Sequence, residues 1–290
     1  MEKYRASLPR NTRYRNRSIR PVYGVDCRLP PPTNKFANSR IPTYNNTMSI
    51  IENLIEYYDE LFPVTEEQKE FYRSVTQTYT SPVKFLRVEC GTGMFESQLA
   101  REGHDVTGIE SYQEILHSAN LRRRNQLMSI RFFQMPVIDM ARFLGKGFYN
   151  IISCLDNRII FLHDQTLIRK FFFDCRQLLS EGGTCILGLL NFDAFTGEPL
   201  IKLPNRESLR AKLFSEVWIA DDGTASVTQN VETGNGRLLP VMENCPAYLL
   251  RPAEVKSFAQ EAGFSSVAFY ADFQKTPFSG TEESLVAVLR

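Results

Sequence analysis

Apolar residues first recur at helical spacing shortly before residue 50. In MSIIENLIEYYDELF they fall on one face of a helix, which Pro63 should end. Thr65 is a typical helix N-cap, so a second helix is predicted over EEQKEFYRSV, ahead of Pro82. Residues 1–45, rich in Arg, Asn and Pro, show no such periodicity and are predicted to form an extended arm. Two helices are therefore expected before the first strand.

From Val83 onward, strand patterns and helix patterns alternate. Strands are predicted over KFLRVE, DVTGIE, SIRFF, YNIISCL and TCILGLL. Helices are predicted over residues 94–102, 112–123 and 164–180, and EGG is expected to be a turn before the last of these strands. This alternation predicts a doubly wound α/β domain built on a mostly parallel sheet.

Residues 191–247 interrupt the alternation. LFSEVWIAD and ASVTQNVET are separated by DGT, and a second glycine-rich turn, GNGR, follows. Such spacing predicts antiparallel hairpins, inserted as a cap between two βα units. The alternation then resumes with a helix over RPAEVKSFAQEAG and strands over FSSVAFYA and ESLVAVLR. The core is thus expected over residues 46–190 and 248–290.

Composition narrows the class of protein. The chain has 290 residues, 43% of them hydrophobic, which suffices for one large α/β core with a cap. It has no long apolar run and no secretory start, so we expect a cytoplasmic protein without a membrane span. Six scattered cysteines without a CxxC pair and three separated histidines give no reason to expect a metal site.

The net charge of +1 hides an asymmetry between the arm and the body. Residues 1–20 carry seven basic side chains against one acid, while the remainder has 27 basic and 32 acidic residues. A basic arm on an acidic body could contact RNA, acidic lipid or a partner protein. A solvated, disordered tail is the alternative interpretation.

The strongest candidate chemistry lies at the end of the first strand. Cys90-Gly91-Thr92-Gly93 follows that strand and opens a helix, the place where open parallel sheets bind ligands. Glu96 stands where a dinucleotide-binding turn would have its third glycine, so a pyrophosphate ligand is disfavoured. Glu110 ends the second strand, 19 residues after Gly91, and its carboxylate could accept both hydroxyls of a ribose.

The stretch ECGTGMFESQLAREGHDVTGIE resembles the class I S-adenosylmethionine-dependent methyltransferases, whose usual opening is D-x-G-C-G-T-G with an acid at the end of strand two. The similarity extends over residues 46–290, through FYNIISCLDNRIIFL, CRQLLSEGGTCILGLLNFD and YLLRPAEVKSFAQEAGF. It implies a seven-stranded, mostly parallel Rossmann-like sheet with an antiparallel cap. It also implies S-adenosylmethionine as the cofactor.

The resemblance implies a set of site residues. Gly91 and Gly93 would border the methionine part of the cofactor, Glu110 would hold the ribose, and the floor beside the sulfonium would be formed after strand four. Tyr58 matches a lid position that often reaches over the methyl donor, although a core aromatic is an equal interpretation. The implied cofactor-binding residues are Glu89, Cys90, Gly91, Gly93, Glu110, Ser111, Met135, Pro136, Val137 and Leu155. The implied catalytic residues are Tyr58 and Asn157.

Four positions depart from the family pattern. Arg87 stands in place of the first acid, Glu89 in place of the first glycine, Pro136 in place of the acid near adenine, and Asn150 in place of the acid opening strand four. Glu89 could pair with the cofactor's ammonium in place of the missing acid. Alternatively, its side chain fills the space that a glycine would leave, and the cofactor is blocked.

The sequence says less about the molecule that would accept the methyl group. The hairpins with PAYLLRPAE resemble the caps of small-molecule N- and O-methyltransferases, and Tyr248 and Arg251 could meet an acceptor carboxylate. Asn191 is a further candidate for orienting the acceptor, while a helix-capping role is the alternative for Arg251. The predicted function is therefore methylation of a small molecule at N or O. The alternatives are a catalytically inactive module of this fold and an RNA or protein methyltransferase recruited by the arm.

Overall fold

The computed structural model describes residues 48–123, 129–195 and 199–290, so the predicted arm lies outside the described residues. Three helices precede the first strand: α1 (Met48–Ile55), α2 (Tyr58–Leu61) and α3 (Glu66–Thr76). The prediction of a single helix over MSIIENLIEYYDELF is therefore wrong, because a turn at residues 56–57 separates α1 from α2. The predicted cap is confirmed, since the Thr65 hydroxyl accepts a hydrogen bond from the Gln68 N–H at 3.2 Å.

The remaining elements follow the predicted alternation. The other helices are α4 (Met94–Arg101), α5 (Gln113–Arg123), α6 (Met140–Phe143), α7 (Gln165–Leu178) and α8 (Pro252–Glu261). The first five strands are β1 (Lys84–Val88), β2 (Asp105–Glu110), β3 (Ile130–Gln134), β4 (Tyr149–Cys154) and β5 (Leu179–Leu190). The other seven are β6 (Leu200–Lys202), β7 (Arg206–Glu207), β8 (Ala211–Ile219), β9 (Ala225–Thr233), β10 (Leu238–Ala247), β11 (Val267–Tyr270) and β12 (Ser284–Leu289).

Seven strands form the main sheet in the order β11-β12-β5-β4-β1-β2-β3. Strands β1 to β5 pair in parallel, and β12 runs antiparallel to both β5 and β11. This is the predicted doubly wound sheet, and its strand order reverses at β1 and β4. The carboxyl ends of those two strands therefore flank the crevice where such sheets bind ligands.

The turn predicted at EGG is wrong. Strand β5 runs through these residues, and its pairing with β4 shifts register between Tyr149↔Leu179 and Ile151↔Thr184. The extra residues on β5 are taken up as an irregularity in the strand, with Gly182 at a φ of 69°. The glycines thus mark a bulge rather than the start of the strand.

A second, antiparallel sheet lies within the predicted insertion. It has the order β10-β9-β8-β6, and β7 pairs with β8. The hairpin expected around DGT is present, with Ile219 opposite Ala225, and GNGR joins β9 to β10. The cap part of the predicted fold class is therefore confirmed.

Alternation along β1 divides the core into two layers. Leu86 and Val88 pack into the cluster on one face of the sheet, and Phe85 packs into the cluster on the other. Arg87 shares the Phe85 face, which α4 covers. Among the described helices, none has both the length and the apolar character needed to cross a bilayer.

Candidate functional site

The turn after β1 places three left-handed residues at alternate positions. Glu89, Gly91 and Gly93 have φ values of 54°, 63° and 74°, and Gly93 leads directly into α4. Glycine adopts this region freely, whereas other residues lose about 1–2 kcal/mol there. Glu89 therefore holds a backbone conformation that glycine adopts without penalty, at the expense of local strain.

Glu110 reaches this turn from the end of β2. Its side chain is 0% exposed, and its Oε2 accepts a hydrogen bond from the Gly91 N–H at 2.9 Å. Its Oε1 accepts one from the Tyr112 N–H at 3.1 Å. Burial, and after it the charge of Glu89, raises the pKa of Glu110 to about 8. This carboxyl, which the sequence suggested as a ribose ligand, therefore lies beside the glycine turn.

Arg158 faces both carboxyl groups and was missed by the sequence analysis. Its Nη2 lies 3.2 Å from Glu89 Oε2 and 3.5 Å from Glu110 Oε1. The other Glu89 oxygen accepts a hydrogen bond from the Ser111 hydroxyl at 2.5 Å. Glu89 is therefore held in place by two side chains of the same protein, Arg158 and Ser111. The only signal in the sequence was a basic residue in LDNR, immediately after a buried strand.

Tyr58 covers the glycine turn. A Cβ built at Gly91 would lie 2.6 Å from Tyr58 Cζ, so the phenol packs directly on the glycine. Tyr58 is buried and stacks on Phe62, with ring centroids 4.8 Å apart. Its burial raises the pKa of the phenol. Both interpretations of Tyr58 agree with this placement, since the side chain is a core aromatic and also borders the candidate site.

A second contact fastens α2 to the turn. The Asp59 carboxylate accepts hydrogen bonds from the Thr92 hydroxyl and from the Arg122 guanidinium. Arg122 Nε also donates to the Thr92 carbonyl oxygen at 3.2 Å. This cluster connects α2, the glycine turn and α5. We call Asp59, Thr92 and Arg122 the lid clamp.

A cavity of about 470 Å³ lies beside the turn. Its walls come from α2, the end of β1, the loop after β4 and the face of the second sheet. Of the predicted residues, five line it: Tyr58, Glu89, Cys90, Leu155 and Asn157. Glu110 lies behind Arg158, and Gly91 lies beneath Tyr58. In this conformation, Tyr58 and Arg158 stand between the cavity and the two most characteristic site residues.

The other predicted cofactor residues lie around Glu110 and under the turn. The Met135 N–H donates to the Glu110 carbonyl oxygen at 3.1 Å, and Pro136 leads into a short 3-10 turn that starts at Val137. Met135 and Val137 are buried. Cys90 is buried as well, and this burial raises the pKa of its thiol. An ordinary thiol with a raised pKa is a poor nucleophile at neutral pH.

The loop after β4 is strained where it enters the cavity. Asp156 and Asn157 both adopt left-handed conformations, with φ values of 56° and 57°. The Asn157 N–H donates to Gly188 O at 2.9 Å, and its side-chain oxygen accepts from Leu190 N at 3.2 Å. Asn157 therefore fixes the loop against β5, which sets the positions of Asp156 and Arg158.

The predicted acceptor residues each have a partner away from this cavity. Asn191 is buried and donates to Gly280 O and Glu282 O at 3.0 and 2.9 Å. Tyr248 contacts Gln165 and Glu254, and Arg251 pairs with Asp193. None of the three is among the residues that line the cavity. Arg251 directly precedes α8, and its N–H donates to Glu254 Oε2 at 3.0 Å, which agrees with the helix-capping interpretation.

Two more of the four altered positions have structural partners, as Glu89 does. Arg87 forms a buried ion pair with Glu96 on α4. Asn150 lies at the start of β4, where its side-chain oxygen accepts from Lys84 N at 3.0 Å and its amide donates to Ser180 at 3.1 Å. Asn150 thus joins strands at the edge of the sheet opposite the site.

Comparison with known proteins shows which families and proteins this chain resembles. Residues 85–183 match the sequence model of a family described as a methyltransferase domain. A ubiquinone biosynthesis O-methyltransferase of Psychrobacter cryohalolentis is 30% identical over 135 residues, which are 44% of this chain and 51% of the relative. One of the same name from Erwinia tasmaniensis is 31% identical over 109 residues, 37% of this chain and 42% of the relative. The chain thus spans about half the length, or less, of these curated relatives.

Solved structures of similar fold cover more of the chain. The CcbJ methyltransferase from Streptomyces caelestis has a TM-score of 0.69 at 22% identity, over 85% of this chain and 99% of its own. An S-adenosylmethionine-dependent methyltransferase from Clostridium acetobutylicum has a TM-score of 0.67 at 14% identity, over 82% and 98%. The sugar N-methyltransferase KedS8 from Streptoalloteichus has a TM-score of 0.60 at 16% identity, over 89% and 100%. These likenesses show a shared fold.

Proposed function

We propose, from the match of residues 85–183 to a family described as a methyltransferase domain, that this chain transfers a methyl group from S-adenosylmethionine to a small molecule. The family match supports the predicted enzyme class and cofactor class, and the shared fold agrees with the predicted fold class. The acceptor, the accepting atom and the roles of single residues belong to the proposal. The cytoplasmic location also stays a prediction.

One observation carries the proposal: the turn through Gly91 and Gly93 meets the buried carboxyl of Glu110 next to a large cavity. A carboxyl with two acceptor oxygens suits the paired hydroxyls of a ribose, and glycines allow a ligand close to the backbone. The residues therefore fit the cofactor chemically. Its methionine part would lie along the turn, its ribose on Glu110 with Ser111 nearby, and its adenine against Met135, Pro136 and Val137.

The cofactor supplies an electrophilic methyl group, so the protein has mainly to position the acceptor and to exclude water. Leu155 and Asn157 would form the floor of the reaction site, and Tyr58 would close it from above. The second sheet contributes an apolar part of the cavity wall, with Leu213 and Val227, and a polar part, with Ser215 and Gln229. This wall suits a small acceptor of mixed polarity that carries an amine or a hydroxyl.

Calorimetric titration with S-adenosylmethionine and with its demethylated product tests the cofactor site. We expect binding of both in the micromolar range, and loss of binding in Glu110→Ala but not in the exposed control Glu70→Ala. Consumption of the cofactor is then measured with a panel of small amines and alcohols. No binding of either compound at high micromolar concentration contradicts the proposal.

A non-catalytic module of the same fold is the second candidate function. It is favoured by the position of Tyr58 on Gly91 and by the pairing of Arg158 with Glu89 and Glu110, which together occupy the cofactor's expected place. Such a module would leave both compounds unbound in the titration above.

Recruitment of RNA or a protein by the basic arm stays a third, untested prediction, since residues 1–20 lie outside the described residues. If the arm recruits RNA, its deletion should abolish binding to RNA and remove the salt dependence of that binding. Equal binding of RNA with and without the arm contradicts this alternative.

A further inference from the structure

Arg158 places a positive charge directly against the two carboxyl groups of the candidate cofactor site. Its side chain is 9% exposed, and its guanidinium also lies 6.0 Å from the centre of the Tyr112 ring. At neutral pH, where Glu110 keeps its proton, Arg158 balances the charge of Glu89, and with Glu110 ionised as well the three groups carry a net charge of −1. Without the arginine, two neighbouring buried carboxylates would carry −2, which is strongly unfavourable in a medium of low polarity. Arg158 therefore serves as the internal counter-ion of this site.

The contacts of this counter-ion are loose. Its distances to Glu89 and Glu110 are 3.2 and 3.5 Å, longer than the 2.7–2.9 Å typical of good ionic hydrogen bonds. Its Nε is buried and has no hydrogen-bond partner among the described residues. A buried donor without a partner destabilises the arrangement that holds it. Arg158 thus neutralises the carboxylates without completing its own hydrogen bonds.

Arg158 also has room to move. It lines the cavity of about 470 Å³ together with Asp156, which precedes it by two residues and pairs with the partly exposed Arg206 at 2.9 Å. The cavity continues to the second sheet, so a rotated Arg158 side chain could remain within it. Such a rotation would open the path from the cavity to Glu110.

A bound cofactor would need the oxygen that Arg158 now faces. Glu110 Oε2 accepts from the Gly91 N–H, while Oε1 accepts from the Tyr112 N–H and lies nearest to Arg158. A ribose hydroxyl donating to Oε1 would occupy the same side of the carboxylate as the guanidinium. Ligand and arginine therefore exclude each other at this oxygen.

On this basis we propose that Arg158 is an internal competitor of the cofactor, which occupies the acidic pair Glu89 and Glu110 until a ligand displaces it. Arg158 thereby sets the affinity of the site. It contacts the acidic pair in the free protein and takes a different position once the ligand is bound. The inference rests on the proposed function, because the competing ligand is the methyl donor or its demethylated product.

The test compares cofactor affinity in the full chain and in two variants, Arg158→Gln and Arg158→Met. Both variants remove the charge, and the second keeps an unbranched side chain of similar length. Arg169→Gln is the matched control, because that arginine pairs with Glu261 on the surface and does not line the cavity. Calorimetry with S-adenosylmethionine and with its demethylated product gives the affinities, after circular dichroism has shown that each variant is folded.

We expect both Arg158 variants to bind at least about tenfold more tightly than the parent, and Arg169→Gln to bind as the parent does. Binding by the variants alone, with none by the parent, also supports the competition. Unchanged or weaker binding by the variants, with binding by the parent, overturns the inference while the proposed function stands. Absence of binding in every protein overturns both.

A second test observes Arg158 directly in the unaltered protein. The Nε–H of a buried arginine gives a slowly exchanging signal in ¹⁵N nuclear magnetic resonance. Arg158→Gln assigns this signal by its loss. Saturation with the demethylated product should shift the Arg158 signal and accelerate its hydrogen exchange, and an unchanged signal at saturation overturns the inference.

Discussion

Arg87 and Glu96 form an ion pair that is withdrawn from solvent on both sides: Arg87 Nε lies 2.7 Å from Glu96 Oε1, and the side chains are only 5% and 1% exposed. The guanidinium also donates to the Ser153 hydroxyl at 3.2 Å and lies 5.3 Å from the centre of the Phe95 ring. Arg87 stands where the resemblance to methyltransferases implies an acid, and it is paired with a carboxylate on α4.

Loss of one partner should be far more destabilising here than in a surface pair. Glu96→Gln leaves a buried arginine unpaired, so we expect the free energy of unfolding to fall by about 3–5 kcal/mol in urea titrations. The control is Glu102→Gln in the exposed pair with Arg73, where the loss should stay below about 1 kcal/mol. The double variant Arg87→Met, Glu96→Met should recover much of the stability. Equal losses for Glu96→Gln and Glu102→Gln contradict this account.

The left-handed backbone at Glu89 can be tested by two substitutions that both remove its charge. Glu89→Gly and Glu89→Ala each lose the ion pair with Arg158, but only glycine relieves the strain at a φ of 54°. We expect Glu89→Gly to be more stable than Glu89→Ala by about 1 kcal/mol. At Glu70, inside α3, the order should reverse because glycine weakens a helix interior. The same order at both positions would refute the strain at Glu89.

The packing of Tyr58 on Gly91 predicts a position-specific penalty. Gly91→Ala combines a positive φ with a clash against the phenol, whereas a Cβ at Gly103 has positive φ but meets nothing within 4 Å. We expect Gly91→Ala to be more destabilising than Gly103→Ala by roughly 1–3 kcal/mol in thermal or urea unfolding. In a Tyr58→Ala background this difference should disappear. Its persistence there would mean that the clash is not with Tyr58.

Glu110 predicts a distinct dependence of stability on pH. Its pKa is raised from 4.5 to about 8 in the folded protein. Between these values the unfolded chain has lost a proton that the folded protein keeps, so this group lowers the free energy of unfolding as pH rises through the window. Above pH 8 its contribution is constant.

Glu110→Gln removes that titration. Relative to the parent, we expect the variant to gain stability steadily from about pH 4.5 to 8, by a total on the order of a few kcal/mol. Urea titrations across this range, with Glu70→Gln as the control, give the difference. A difference that does not change with pH would show that Glu110 is ionised throughout.

The lid clamp predicts local opening when its arginine is removed. Arg122→Ala should speed the hydrogen exchange of the Leu61 and Phe62 amides, which bond to Tyr57 O and Tyr58 O, by about tenfold. Amides of α7 should not change, and Arg142→Ala on α6 serves as the control variant. Faster exchange throughout the protein would indicate general destabilisation instead of lid opening.

Local sequence patterns were enough to predict most of the helices and strands. The boundaries of β2 and the cap at Thr65 agree with the sequence analysis because each depends on residues within a few positions. The break before α2 and the bulge in β5 were not predictable in this way. The bulge depends on the register with β4, which only the assembled sheet defines.

The same distinction holds at the site. Cofactor roles for Gly91 and Glu110 were predicted because both follow parallel strands at the edge where such sheets bind ligands. The inward direction of Arg158 could not be foreseen, since it depends on two consecutive left-handed residues, Asp156 and Asn157. Tyr248 and Arg251, which the sequence suggested as acceptor residues, do not line the cavity because they follow the second sheet in sequence, and the strands that line the cavity lie earlier in that sheet.

The first helices are fastened to the second sheet as well as to the glycine turn. Arg210, next to β8, pairs with Glu56 and Glu60 at 2.5 and 3.1 Å, and the Asn53 amide donates to the Pro240 carbonyl oxygen on β10 at 2.8 Å. The cover over Gly91 and the wall of the cavity are thus joined mechanically. By thermodynamic linkage, any effect that a molecule held by the second sheet has on affinity at Gly91 is matched by an equal effect of a ligand at Gly91 on the affinity for that molecule.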